Sequence, residues 1–252
     1  MPSRKRTKGK ERKAKKSSFE SCRSPSDRAL VRRVWQGWAR GEDNNKKIVH
    51  CNHGRNVTIP DDAHPVSKFL DTLFSTGDLK SVFQLHPQLC KNESHREMAV
   101  NLLMSIAVTS CLLTPKKDYN YMPVISDNAY AIVLLENWDE TDDFDSAVCK
   151  QNVATKFRDL HFGYGDESEE RDLLKFFHKR IACSCLKERH SEARRTQPKL
   201  GKCFHCEDVK DRSMLMICSR CKVEHYCSHE CQVAAWPEHK CMCNAYVNAN
   251  TK

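Results

Sequence analysis

From about Asp61 to Arg195, apolar residues recur three and four positions apart and strand-like alternation is scarce, which predicts a helical domain. Pro65 is placed to open a helix through Phe74, with Gly77 as the break, and Asp78 to cap a second helix that reaches about His86 before Pro87. The two form a helical hairpin. Met98 to Leu113 is apolar except at Asn101, Ser105, Thr109 and Ser110, and the first three lie four apart on one face, so this stretch reads as the central, nearly buried helix. Sixteen residues with that polar stripe are too short and too polar for a membrane span. Further on, Ser168 precedes Glu169 and Glu170 in a first turn. Leu173, Leu174, Phe177 and Ile181 then make an apolar stripe, and Lys179 and Arg180 fall late, where they complement the helix dipole. Past Cys183 and Cys185, residues Lys187 to Lys199 read as a charged connector containing Pro198. No internal repeat is visible.

The 252-residue chain is 39% hydrophobic and 30% charged, and its mean hydropathy is −0.68. That composition predicts a soluble protein with disordered margins. Charge is unevenly placed: residues 1–40 carry 14 Lys+Arg against 3 Asp+Glu, and the rest of the chain carries 28 against 30. Residues 1–16 alone hold nine Lys+Arg and one acid, with almost nothing apolar to offset the entropy of ordering. Residues 1–28 are therefore expected to be a disordered basic arm. It would serve as a nuclear import signal or a weak electrostatic contact to nucleic acid, or simply be a solvated tail. No apolar signal-peptide core follows it, so secretion is not expected. Trp35 and Trp38 sit in a mixed basic-apolar stretch, Leu30 to Arg40, that reads as a short helix docking on the core.

Fifteen cysteines change the picture, because eight of them fall between Cys203 and Cys243. An odd total in a chain not expected to be secreted argues for metal-bound thiolates over disulfides, in a reducing compartment, nucleus or cytoplasm. The ligand-type residues come in four pairs. Cys203-x2-Cys206 is followed after eleven residues by Cys218-x2-Cys221, after five by Cys227-x3-Cys231, and after seven by His239-x3-Cys243. Each Cys-x2-Cys can form a tight knuckle, and each x3 pair puts two ligands on one side of a helical turn. Eight ligands make two tetrahedral zinc sites. Spacing alone does not choose between sequential and cross-braced pairing.

The pattern C-x2-C, C-x2-C, Y-C-S-x2-C-Q-x3-W-P-x-H-x3-C resembles a MYND-type zinc finger. It is carried by Cys203, Cys206, Cys218, Cys221, Tyr226, Cys227, Ser228, Cys231, Gln232, Trp236, Pro237, His239 and Cys243, over 41 residues of the chain. The resemblance implies cross-braced ligation. Cys203, Cys206, Cys227 and Cys231 would form an all-thiolate site, and Cys218, Cys221, His239 and Cys243 a site of three thiolates and one imidazole. Cys241, inside the last pair, is untypical, and the family spacing favours Cys243 over it; His205, His225 and His229 are other conceivable substitutes. Both zincs would be structural, since four protein ligands leave no position for water. The family's binding of short proline-rich peptides implies that Gln232 and Trp236 line a peptide groove, while packing of Trp236 in the finger's small core is the competing use.

Charge bears on the partner. Residues 201–243 carry six Lys+Arg and six Asp+Glu, and seven thiolates around two Zn²⁺ bring the finger to about −3, which repels phosphate. The expected architecture is mainly α: the basic arm, a helical domain over 29–195, the finger over 203–243, and a tail over 244–252. The expected function is an adaptor or regulator that binds protein partners through proline-containing peptides, with no membrane association. The alternative is a nucleic-acid-associated transcriptional regulator using the arm.

Catalysis is not expected. The sequence has only eight glycines and lacks the G-x-G-x-x-G, G-x4-G-K-[ST], G-x-S-x-G and H-E-x-x-H patterns. MYND fingers also occur inserted in SET-type lysine methyltransferases, whose catalytic domain continues after the finger. Here nine residues follow Cys243, and Asn52-His53-Gly54 lacks the rest of the N-H-S-C-x-P-N-like segment of that domain. Six acids between Glu136 and Asp145 read as a solvated turn. Cys51 with His53, and His178 with Cys183 and Cys185, are read as buried residues in preference to a third metal site.

Overall fold

The computed structural model describes residues 60–76, 78–113, 122–161 and 168–249. The basic arm, the Trp35/Trp38 stretch, Cys51, His53 and Gly77 lie outside the described residues. Among these there are ten α-helices and two two-stranded antiparallel sheets, and none of the helices is long and apolar enough to cross a membrane.

Nine helices make the helical domain: α1 (Pro65–Thr76), α2 (Leu79–Leu85), α3 (Pro87–Lys91), α4 (Glu93–Leu113), α5 (Met122–Glu136), α6 (Phe144–Cys149), α7 (Gln151–His161), α8 (Ser168–His178) and α9 (Ser184–Thr196). The hairpin α1/α2 forms as its punctuation predicts: the Asp78 side chain accepts from the Lys80 N–H at 3.1 Å, and Pro87 begins α3. α4 is the expected central helix, with Leu102, Leu103, Ile106 and Ala107 wholly inaccessible and Ser105 buried beside them, while Asn101 is exposed. Its main partner is α5, which the sequence reading did not single out. Every residue from Ala129 to Leu135 is buried, so α5 is surrounded on all sides and its sequence has no polar face to betray a period. Around this pair the aromatics interlock: Phe83 stacks on Trp138 at 5.1 Å between centroids and meets Phe69 edge-on at 5.4 Å.

One local expectation is revised and another is extended. The charged segment Lys187 to Lys199 is helical through Thr196, as α9. The Cys183 sulfur caps it, Leu186 and Ala193 supply a narrow buried stripe, and Arg189 reaches both Glu170 (2.8 Å) and the Cys111 carbonyl at the end of α4. The acidic turn is solvated, as expected, with its acids exposed apart from half-buried Asp142, and it is cross-linked as well. Lys150 Nζ lies 2.6 Å from both Asp139 and Asp142, Arg180 forks onto Glu136, Lys80 meets Asp145 at 2.8 Å, and Asp143 caps α6. Hydrogen bonding from Lys150 holds the Asp139 carboxyl below the usual carboxylate range.

The finger follows. Strand β1 (Leu200–Lys202) pairs with β2 (Val209–Asp211), and β3 (Met216–Ile217) pairs with β4 (His225–Tyr226). A Cβ at Gly201 on β1 would lie 2.7 Å from Leu215 Cδ1, so a larger residue there would displace that side chain. The closing helix α10 (His229–Asn248) runs past Cys243, so most of the expected tail is helical, and Tyr246 and Val247 pack on the finger's core. No glycine or proline follows Cys243 to stop the helix. The helical domain and the finger have distinct cores, joined at one point: Ala154 of α7 belongs to the finger's cluster.

Phe83 touches α1, the Trp138 loop and Phe144, so Phe83→Ala is expected to cost about 3–5 kcal/mol in denaturant unfolding. A loss below about 1 kcal/mol would mean that the aromatic cluster is not the packing hub described.

Candidate metal centre

The two Cys-x2-Cys segments fold as copies of one device. In the first, the Glu207 N–H donates to the Cys203 carbonyl at 3.1 Å and the Cys203 N–H to Asp208 at 2.9 Å; in the second, the Lys222 N–H donates to Cys218 and the Cys218 N–H to Glu224, both at 2.9 Å. The residue after each second cysteine turns left-handed, with φ of 64° at Glu207 and 58° at Lys222, although neither is glycine. This tight turn aims backbone N–H groups at the sulfurs. Burial alone would raise the Cys203 thiol, but N–H groups of Cys206, Cys227 and His205 bring it down to about 7. The remaining pairs come from α10 and its start. Ser228 caps the helix through the Cys231 N–H at 3.3 Å, setting Cys227 just before the first turn and Cys231 within it, while His239 and Cys243, both wholly buried, stand one turn apart further on.

The fold brings these pairs together in crossed order. Cys203, Cys206, Cys227 and Cys231 form one group and Cys218, Cys221, His239 and Cys243 the other, the donor atoms of each lying within 4.8 Å of one another. A zinc ion with Zn–S bonds of about 2.3 Å has tetrahedral S···S edges of roughly 3.8 Å. The observed separations straddle that edge: Cys206–Cys227 3.5 Å, Cys227–Cys231 3.4 Å, Cys218–Cys243 4.0 Å, and Cys221 Sγ to His239 Nε2 3.6 Å. Two structural zinc ions fit these groups, cross-braced. The charge balance agrees. Contact with Cys231 and Cys206 pushes the Cys227 thiol up to about 12, and burial, with the sulfurs of Cys221 and Cys218, does the same to Cys243. Four sulfurs so close cannot all ionise without a dication among them. Burial lowers the His239 imidazole and keeps it neutral, the ligating form. Cys241, His205 and His229 are exposed, and His225 is in neither group. Among the described residues no third group of metal-binding side chains assembles, and Cys183 instead caps α9.

Five of the eight ligands are buried in the core, while Cys227 and Cys231 are half-buried and Cys206 is exposed. The finger's buried cluster consists of Cys203, Cys218, Cys221 and Cys243 with Val223, Tyr226, Ala235 and Ala154, and Phe204 packs against it. His239 is ringed by Phe204, Tyr226 and Trp236 at 5.6, 5.9 and 6.0 Å between centroids. Trp236 thus lays one edge on a ligand and is still 37% exposed, and half-buried Gln232 precedes it by one turn on α10. The sequence reading missed the side chains of α7 that reach the second knuckle, namely Gln151, Ala154 and Arg158, since no motif announces them.

Residues 203–243 thus form a cross-braced, double-zinc finger in which buried ligands make up much of a small core. The family model that matches those same residues is the MYND finger. No curated protein and no solved structure is significantly similar to the chain. MYND fingers are zinc-dependent protein-interaction modules and not enzymes, and the match is confined to this segment.

Metal analysis of the purified chain is expected to give two zinc ions; one or three would contradict the assignment. Because the cores are distinct, Cys218→Ala is expected to unfold the finger and leave the helicity of α1–α9 in place by far-UV circular dichroism. At the left-handed position, Lys222→Val is expected to destabilise the finger by about 1–2 kcal/mol and Lys222→Gly to be no worse than the native residue, read by chelator competition.

Proposed function

We propose that the finger recognises a short, extended, proline-containing segment of a partner protein, and that the chain acts as an adaptor or regulator in the nucleus or cytoplasm. The observation that carries this reading is the exposed indole of Trp236, braced from behind by the buried ligand His239, with the Gln232 amide one turn away. An indole held this way offers a flat apolar face to a polyproline-type chain, which loses little entropy on docking, and the amide offers hydrogen bonds to its backbone. Strand β3 supports the same reading: Met216 and Ile217 are exposed, and among the described residues the strand pairs only with β4, opposite Tyr226 and His225. An extended peptide can add to such an edge. The finger's charge of about −3 disfavours phosphate as the ligand.

Trp236→Ala is expected to weaken binding of proline-containing peptides by about 2 kcal/mol or more, roughly 30-fold, while zinc content stays at two. Binding should change little with salt. A peptide array followed by titration decides the matter: no proline-containing peptide bound, or unchanged binding by Trp236→Ala, would sink the groove. Steeply salt-dependent binding to nucleic acid that disappears on deleting residues 1–16 would favour the basic arm as the working element.

A further inference from the structure

α7 packs in the helical domain and also touches the finger. Its inner face carries Val153, Phe157 and Leu160 into the helical core. Gln151, Ala154 and Arg158, three and then four residues apart, lie along a second stripe that meets the finger. Ala154 enters the finger's core. The Gln151 amide donates from Nε2 to the carbonyl oxygen of Cys221 at 2.8 Å, and an Arg158 terminal N–H donates to the carbonyl of Val223, with that of Lys222 at 3.5 Å. Three consecutive carbonyls, 221 to 223, are thus met by side chains of one helix. They span the exit of the second knuckle: a ligand, the left-handed residue, and a core valine.

The same helix end anchors an ionic chain. The remaining donors of Arg158, which is only 9% exposed, fork onto Asp159 at 2.8 and 3.2 Å; Asp159 accepts from Arg212 of the finger at 3.3 Å, and Arg212 faces Asp172 of α8 at 3.6 Å. Among the described residues, no hydrogen bond from the helical domain reaches a ligand of the first site, Cys203, Cys206, Cys227 or Cys231. The two zinc sites therefore differ in what supports them. By hydrogen bonds the first is held within the finger, and the second also leans on α7.

We propose that Gln151 and Arg158 are positioning residues of the second zinc site, so that zinc at Cys218, Cys221, His239 and Cys243 and docking of the finger on α7 form one coupled equilibrium. Holding the Cys221 carbonyl fixes the peptide plane that carries the ligand, and holding the next two carbonyls keeps the left-handed turn closed. Outer groups of this kind orient metal ligands, and their loss commonly costs about 10–100-fold in affinity. Coupling is reciprocal: whatever loosens α7 labilises the second zinc, and removal of that zinc frees the outer face of α7. This holds whether or not the finger binds proline-containing peptides.

The test uses the full chain carrying Gln151→Ala or Arg158→Ala, with Lys156→Ala, an exposed position of α7, as the control. Zinc transfer to a chromophoric chelator is followed, and the chain is loaded with Co²⁺ to distinguish the imidazole-containing from the all-thiolate site by absorption. Expected is a 10–100-fold weaker hold on one ion of the two, with the imidazole-site signature lost first, partial recovery in Arg158→Lys, and native behaviour in Lys156→Ala. Equal loosening of both ions, or release at the native level, overturns the proposal. The converse measurement does not depend on the α7 variants folding: hydrogen exchange of α7 should rise in Cys218→Ala and not in Cys206→Ala. An equal rise in both, or in neither, overturns it.

Discussion

Convergence of seven sulfurs and one imidazole nitrogen on two points is the constraint from which the rest of the finger follows. A module of 41 residues buries too little apolar surface to fold by packing alone. Here the wholly buried positions are largely the ligands themselves, and structural zinc contributes about 10–16 kcal/mol in such modules. That magnitude exceeds the local costs the geometry imposes. Two non-glycine residues sit in left-handed turns at about 1–2 kcal/mol each, and the buried His239 imidazole finds no hydrogen-bond partner for Nδ1 among the described residues. Without the ions the same arrangement gathers mutually repelling sulfurs around nothing. The crossed pairing then ties both knuckles to α10, so that one helix start and one helix face close both sites.

The helical domain solves a different problem with ordinary means. Its centre is the α4/α5 pair, of which α5 is buried on every face from Ala129 to Leu135, and the surrounding helices are amphipathic to varying degrees. Charge is used at the joints. Lys150 gathers the acidic turn, Arg189 joins α9 to α8 and to the end of α4, and the chain Arg158, Asp159, Arg212, Asp172 closes the seam with the finger. Several of these pairs are largely shielded from water, where breaking one partner leaves an uncompensated charge, so they act more as fixers of orientation than as sources of net stability. A finger held by its second knuckle leaves Trp236 and the edge of β3 exposed and Gln232 half-buried, so the helical domain does not cover the surface proposed for peptide binding.

Much of this was legible in the residues, and the parts that were not share a cause. The ligand set is a matter of spacing, because a knuckle needs two residues between sulfurs and a helical turn needs three between ligands; both are local and survive any tertiary context. Proline and aspartate punctuation likewise announced α1 and α2. The helix α5 escaped because a helix buried on every face has no period, and α9 escaped because two apolar residues, Leu186 and Ala193, are too few to show one. The exit of the chain after Cys243 read as a tail because it lies beyond the last motif residue, although nothing there stops the helix.

By itself, then, the sequence determined which residues offer metal ligands, that the finger has no surplus of positive charge, and that helical segments precede it. Spacing left open which sulfurs share an ion; the resemblance to the MYND finger implied the crossed pairing, and the fold brings the same two sets together. Tertiary structure alone decided that Trp236 is both packed and open, and that side chains of α7 hydrogen-bond to the second knuckle. The physical reason is the nature of the bonds at the seam. Gln151 and Arg158 hold backbone carbonyls about seventy residues away, and a carbonyl is the same at every position of the chain, so its choice of partner leaves no mark in the residue it belongs to.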